Sequence, residues 1–179
     1  VSALLLALVA SLGLTVSTGA QPASRSVSWQ RYDVDLQIQA DGTLAVTETQ
    51  AITFTGTYQQ GYRLVPLDRA TGASNVSVAE LTNGQTLAYT RGTGQPNTYR
   101  ATSASGGLQI DWWFSPTPTT AATVTRQFVL RYIVTGAIRI YDAGDQLQWR
   151  AIYADRDGAV AASTVTVHLP ADASTDAVK

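Results

Sequence analysis

The chain has 179 residues, 12 Lys and Arg against 13 Asp and Glu, one His, a formal net charge of −1 and no cysteine. So even a balance offers no electrostatic footprint for nucleic acid or anionic lipid, and the missing thiols exclude disulfides, thiolate metal sites and cysteine nucleophiles. Charged residues make up only 14% of the chain, below the roughly 25% of an average soluble domain; Thr, Ser, Gln, Ala and Gly fill the gap, as in exported β-proteins.

Residues 3–14, ALLLALVASLGL, form an apolar run shorter than the roughly 20 residues that span a bilayer as a helix. Small and polar residues follow, with Thr18-Gly19-Ala20 placed as a cleavage site before Gln21. Residues 1–20 are therefore predicted to be a secretory signal lacking its charged leader, residues 21–27 a linker, and residues 28–170 one exported domain. The final residues, 171–179, are expected to begin a connection to a further C-terminal region.

From residue 28 the pattern is β. SWQRYDVDLQIQ (28–39) sets Tyr32, Val34, Leu36 and Ile38 on one face, and Asp41-Gly42 signals a hairpin into LAVTETQAITF (44–54). Further strands are predicted at 62–67, 75–81, 85–91, 97–103, 108–114, 123–134, 137–141, 145–153 and 163–169, punctuated by Asn83-Gly84, Gly106-Gly107 and Asp157-Gly158. The Ser-Pro-Thr-Pro-Thr-Thr run at 115–120 is a rigid surface loop, because strand patterning resumes directly after it. About ten short strands with regular turn signals and no sustained helical period describe an all-β antiparallel sandwich, immunoglobulin-like or jelly-roll-like.

Glu48 breaks the second strand's pattern: it shares a face with Leu44, Val46, Ile52 and Phe54. Arg63 breaks the next one in the same way, among Tyr62, Leu64, Val65 and Pro66. Consecutive strands are usually neighbours, and a buried charge is tolerated when it is paired, so Glu48 and Arg63 are predicted to form a structural ion pair. Arg126, in line with Val124, Phe128 and Leu130, is a second candidate partner for Glu48. The catalytic alternative makes Glu48 a general acid with Asp111 or Asp145 as its mate, in a glycoside-hydrolase-like site.

Other constellations are weaker. His168 is the only histidine, which excludes two-histidine metal sites, and its alternation against Val165 and Val167 puts it at the surface. Asp155 and Asp157 resemble the start of a calcium loop, but the distal ligands are missing and a turn is the better reading. Trp112 and Trp149 read as core. Trp113 points the other way and, with Tyr58, Tyr62 and Trp29, is a candidate ligand-binding aromatic for a carbohydrate or cell-wall module. No cofactor is expected.

The ordered set Tyr32-Asp33-Val34, Asp41-Gly42-Thr43-Leu44, Val46, Glu48, Gly61-Tyr62-Arg63-Leu64-Val65-Pro66, Tyr132, Trp149 and a closing VTVHLP resembles the N-terminal region of predicted membrane proteins grouped as domain of unknown function 2207. The resemblance covers about residues 28–170, nearly all of the predicted exported domain. It implies an extracytoplasmic β-rich domain on a protein anchored by a C-terminal transmembrane helix, and it implies no known activity. Arg150 after Trp149, and the lack of a second Trp in YADRDGAVAAS, depart from the pattern over 153–162. The expected protein is therefore a non-enzymatic surface domain that binds or organises a protein or polysaccharide.

Overall fold

A computed structural model describes residues 25–119, 122–142, 144–153, 156–170 and 173. The predicted signal segment, Asp155 and most of the C-terminal connection lie outside these residues. Twelve strands occur in chain order and no helix is found among the described residues.

The first two strands, β1 (Ser26–Ile38) and β2 (Leu44–Thr55), form the hairpin signalled by Asp41-Gly42. Gly42 sits at φ 77°, and the Asp41 carboxylate accepts the Thr43 amide and hydroxyl at 3.0 and 2.7 Å. β3 (Gln60–Pro66) then leaves for a second sheet, and β4 (Gly72–Thr82) returns to the first. Asn83 and Gly84, both at positive φ, turn β4 into β5 (Gln85–Ala88) as a two-residue hairpin. The single strand predicted over 85–91 is split at the buried Tyr89, because the chain crosses between the sheets there; β6 (Thr90–Arg91) belongs to the second.

That second sheet is completed by β7 (Thr98–Ala104) and β8 (Gly107–Trp113), and β9 (Thr123–Thr135) rejoins the first. The strands predicted at 137–141 and 145–153 reduce to a small ladder of β10 (Ile138–Arg139) and β11 (Gln146–Leu147). Among the described residues beyond it no ladder forms until Val160 bridges Trp29, and β12 (Ser163–His168) closes the first sheet parallel to β1.

The sheets run β12-β1-β2-β9-β4-β5 and β3-β8-β7-β6. Neither closes into a barrel. Most pairs are antiparallel, as the all-β antiparallel expectation has it, and β1–β12 and β6–β7 are parallel. β1 also starts at Ser26, so the end of the predicted linker is already strand.

The sheets meet face to face over Val34, Leu36, Val46, Ile110, Phe128 and Leu130, all buried. Trp112 of β8 lies 5.6 Å from Phe128 of β9, centroid to centroid, across this interface. From the small β10–β11 ladder onward, Leu147, Trp149, Ala151 and Ile152 are partly buried and pack as a strap against the core. Gly158 brings the strap onto β1: a Cβ there would stand 2.1 Å from the Val27 carbonyl oxygen.

Candidate functional site: a buried carboxylate cluster and an edge cleft

Glu48 is fully buried between the sheets. Arg63, carried by β3 on the opposite sheet, donates its Nε to both carboxylate oxygens at 3.0 Å. The phenols of Tyr32 and Tyr132 donate to Oε2 and Oε1 at 2.5 and 2.7 Å, and Gln50 Nε2 donates to Oε2 at 3.1 Å. Register explains the meeting: Tyr32 and Tyr132 stand on the strands flanking β2, paired near Glu48 at Gln50 and Val46 respectively, on the inner face. The structure thus brings the two off-pattern charges, Glu48 and Arg63, together. Burial and then the Glu48 charge hold both phenols well above the ordinary tyrosine value. Burial works against the charge on Arg63, but Glu48 and the two tyrosines outweigh it and raise its value.

Arg126 does not join this cluster. Its Nη1 lies 3.1 Å from Oε1 of Glu80, and Tyr89 donates to Oε2 of the same carboxylate at 2.7 Å. Glu80 was open to the same reasoning as Glu48, since Val76, Val78 and Glu80 alternate on one face. Nor do Glu48 and Asp111 form a pair. Asp111 alternates with Ile110 and Trp112, so it stands on the outer side of β8, where Arg100 Nη2 and Gln109 Nε2 bind it at 2.9 and 2.8 Å. Asp145 is exposed in the β10–β11 connection.

Of the four candidate aromatics, Trp29, Tyr58 and Tyr62 line one cleft of about 320 Å³ at the open edge between the sheets, and Trp113 does not. Trp113 is half-buried on the outer side of β8, with the Arg100 guanidinium 5.8 Å from its ring centroid. Trp29 reaches the cleft through a β-bulge: the register slips between Trp29 and Arg31, which turns its side chain to the inner face with Tyr32. There its indole donates to Gln50 Oε1 at 2.9 Å. Ile52 and Phe54 continue this wall, Gly61 to Leu64 of β3 form the facing one, and Tyr153, Arg156 and Asp157 of the strap add a third. Trp112 also lines the cleft, against Gly61, where any Cβ would stand 2.3 Å from its Cζ2.

Several buried N–H groups here lack a hydrogen-bond acceptor among the described residues. They are Trp112 Nε1, Arg63 Nη2, and Nε and Nη1 of Arg156. Arg63 Nη2 lies 3.0 Å from Glu48 Oε1, but without hydrogen-bond geometry, so that contact is a charge interaction only. No cluster of three metal-ligating side chains occurs among the described residues; Asp157 lies exposed at the cleft. His168, on the outer face, approaches Asp35 at 2.6 Å.

Fold and site together define a two-sheet, all-β domain with a saturated carboxylate in its core and a cleft where the smaller sheet ends. The chain belongs to the family described as the predicted membrane protein (DUF2207) N-terminal domain, which it matches over residues 28–179. No curated protein matches it. Among solved structures it is similar to one from Parabacteroides distasonis, described as a candidate protease, at 11% identity and a TM-score of 0.36. The likeness covers 61% of this chain and 23% of that one, and carries no argument about activity.

Proposed function

We propose that this chain is the non-enzymatic, extracytoplasmic domain of a membrane-anchored protein, and that it binds a protein or polysaccharide partner at the cell surface through the edge cleft. The observation that carries this reading is the gathering of Trp29, Tyr58, Tyr62 and Tyr153 around a cleft of about 320 Å³, within the size range of ligand sites. Membership of a predicted membrane protein family, the apolar run at 3–14 and the absence of cysteine favour an exported position. A non-catalytic role is supported by the saturation of Glu48, whose oxygens already accept from Arg63, Tyr32, Tyr132 and Gln50. A general acid needs an oxygen open to substrate.

Residues 1–179 contain no cysteine, and any cysteine elsewhere in the full-length protein is first replaced by serine. Ser103→Cys, on the exposed β7, and Tyr62→Cys, at the cleft mouth, are introduced singly into the full-length protein and treated with a membrane-impermeant maleimide. Both positions should label in intact cells, with Tyr62→Cys protected relative to the purified domain while Ser103→Cys is not. Labelling of neither until the cells are permeabilised would refute the exported position. Equal rates at Tyr62→Cys in cells and in the purified domain would refute occupancy of the cleft.

A further inference from the structure

The unused hydrogen-bonding groups buried at the cleft are all donors. Trp112 is 1% exposed and Arg63 5% exposed, yet indole Nε1 and guanidinium Nη2 have no acceptor among the described residues. Arg156, across the cleft on the strap, adds two more such groups and stacks its guanidinium 5.9 Å from the Trp29 ring centroid. Buried donors left without acceptors are costly, and they are rare in folded proteins unless a ligand or water satisfies them. The other lining groups are mainly apolar or aromatic: Val27, Ile52, Phe54, Tyr58 and Leu64.

The acceptors nearby are committed or exposed. Gln50 Oε1 takes the Trp29 indole, Glu48 is saturated, and Asp157 lies in solvent. An ammonium, which only donates, would therefore face buried cations and donors with no more than half-buried phenol oxygens to accept it, whereas a carbonyl or carboxylate oxygen would find several donors.

Building on the binding role proposed above, we infer that the edge cleft is a site for a compact apolar or aromatic group headed by a carboxylate or carboxamide oxygen. The oxygen accepts from Trp112 Nε1 and Arg63 Nη2, the body lies between Trp29 and Tyr58, and Arg156 closes over it from the strap. Such a group is either a free small molecule or a side chain of a surface polymer, and both present the same chemistry to the cleft.

The probes are phenylacetate, phenylacetamide and phenethylamine, which share a body and differ in the head group. Each is titrated into the purified domain while the indole N–H resonances are followed by two-dimensional NMR; Trp112→Phe identifies the Trp112 signal. Phenylacetate or phenylacetamide should shift that signal saturably in the millimolar range, as expected for a ligand of this size, and phenethylamine should not. Trp112→Phe and Arg156→Gln should each weaken the binding several-fold; Arg156→Gln lies on the half-buried strap and spares the core, so it remains informative if the first variant folds poorly. No saturable shift with either oxygen-headed probe, or equal binding of the amine, overturns the inference. Binding of glucose in their place overturns the ligand class while leaving the cleft a binding site, and the maleimide protection at Tyr62→Cys reads that role separately.

Discussion

Glu48 and Gln are nearly the same shape, so Glu48→Gln removes a charge without opening a cavity. The variant leaves the Arg63 guanidinium buried with no counter-ion, 5% exposed, and asks the Tyr32 and Tyr132 phenols to donate to a neutral amide. Breaking a buried pair from one side typically costs about 3–5 kcal/mol, or roughly 6–20 °C in midpoint for a chain of this length. Thermal and urea unfolding of residues 24–179 will measure it; an unchanged midpoint would mean the carboxylate does not hold the sheets together. The tyrosines add a pH dependence. Unfolded phenols titrate near about 10, whereas burial and the Glu48 charge keep the folded ones protonated well above that. Above pH 10 the unfolded chain therefore holds fewer protons than the native one, and stability falls as pH rises, while below it the contribution is complete. Urea midpoints should be flat from about pH 8 to 9.5 and then decline, and Tyr132→Phe should flatten the decline; a steeper decline in the variant would assign the effect elsewhere. Glu48 and Arg63 were legible as a pair because each interrupts an apolar face. Glu80 interrupts one too, between Val78 and the turn at Asn83, and Arg126 is the matching cation; what the sequence could not show is which strand lies beside which.

β2 alternates along its whole length and β1 does so from Tyr32 to Leu36, but β12, although in regular register beside β1, is exposed on both faces, and β1 departs from alternation at its bulge. Strict alternation from Tyr32 puts Trp29 on the outer face with Asp33 and Asp35; the extra residue, Gln30, reverses this and sends the indole into the cleft. Nothing in SWQRY marks a bulge, since no glycine or proline stands there, and so the convergence of Trp29 with Tyr58 and Tyr62 was not readable in advance. The strap was equally hidden. DQLQWRAIY alternates like a strand, yet only Gln146 and Leu147 pair, because β1 already has β2 on one edge and β12 on the other. The strap is held instead by side-chain packing and by the close approach of Gly158 to Val27. Gly158→Ala forces its Cβ against a backbone carbonyl, and overpacking of that kind costs about 1–3 kcal/mol. The expected outcome is a folded domain with a midpoint lowered by roughly 2–12 °C and a red-shifted tryptophan emission, as Trp29 loses its cover. Unaltered emission would show that the strap does not depend on this contact.

At the scale of the whole molecule, the all-β, two-sheet architecture was legible in the spacing of turns, but the parallel placement of β12 beside β1 was not, since strand patterns carry no direction. The same long-range topology sets two polar clusters into one core. Glu48 on β2 and Glu80 on β4 lie on either side of β9, opposite Leu130 and Phe128, two strand spacings apart and offset by two residues along the strand, or about 12 Å. One cluster binds across the sheets through Arg63; the other stays with Arg126 and Tyr89, and they share no hydrogen-bond partner. Either the two act as independent fastenings, or the low-dielectric core couples them into one network. Tyr132→Phe and Tyr89→Phe decide between these, because each removes one hydrogen bond to a carboxylate and keeps the ring. Each should cost about 1.5–3 kcal/mol in urea unfolding, and the double variant should lose the sum within about 0.5 kcal/mol. A double loss well short of the sum would mean that the first substitution already releases the second cluster, and the core would then have to be treated as one cooperative polar unit spanning both sheets.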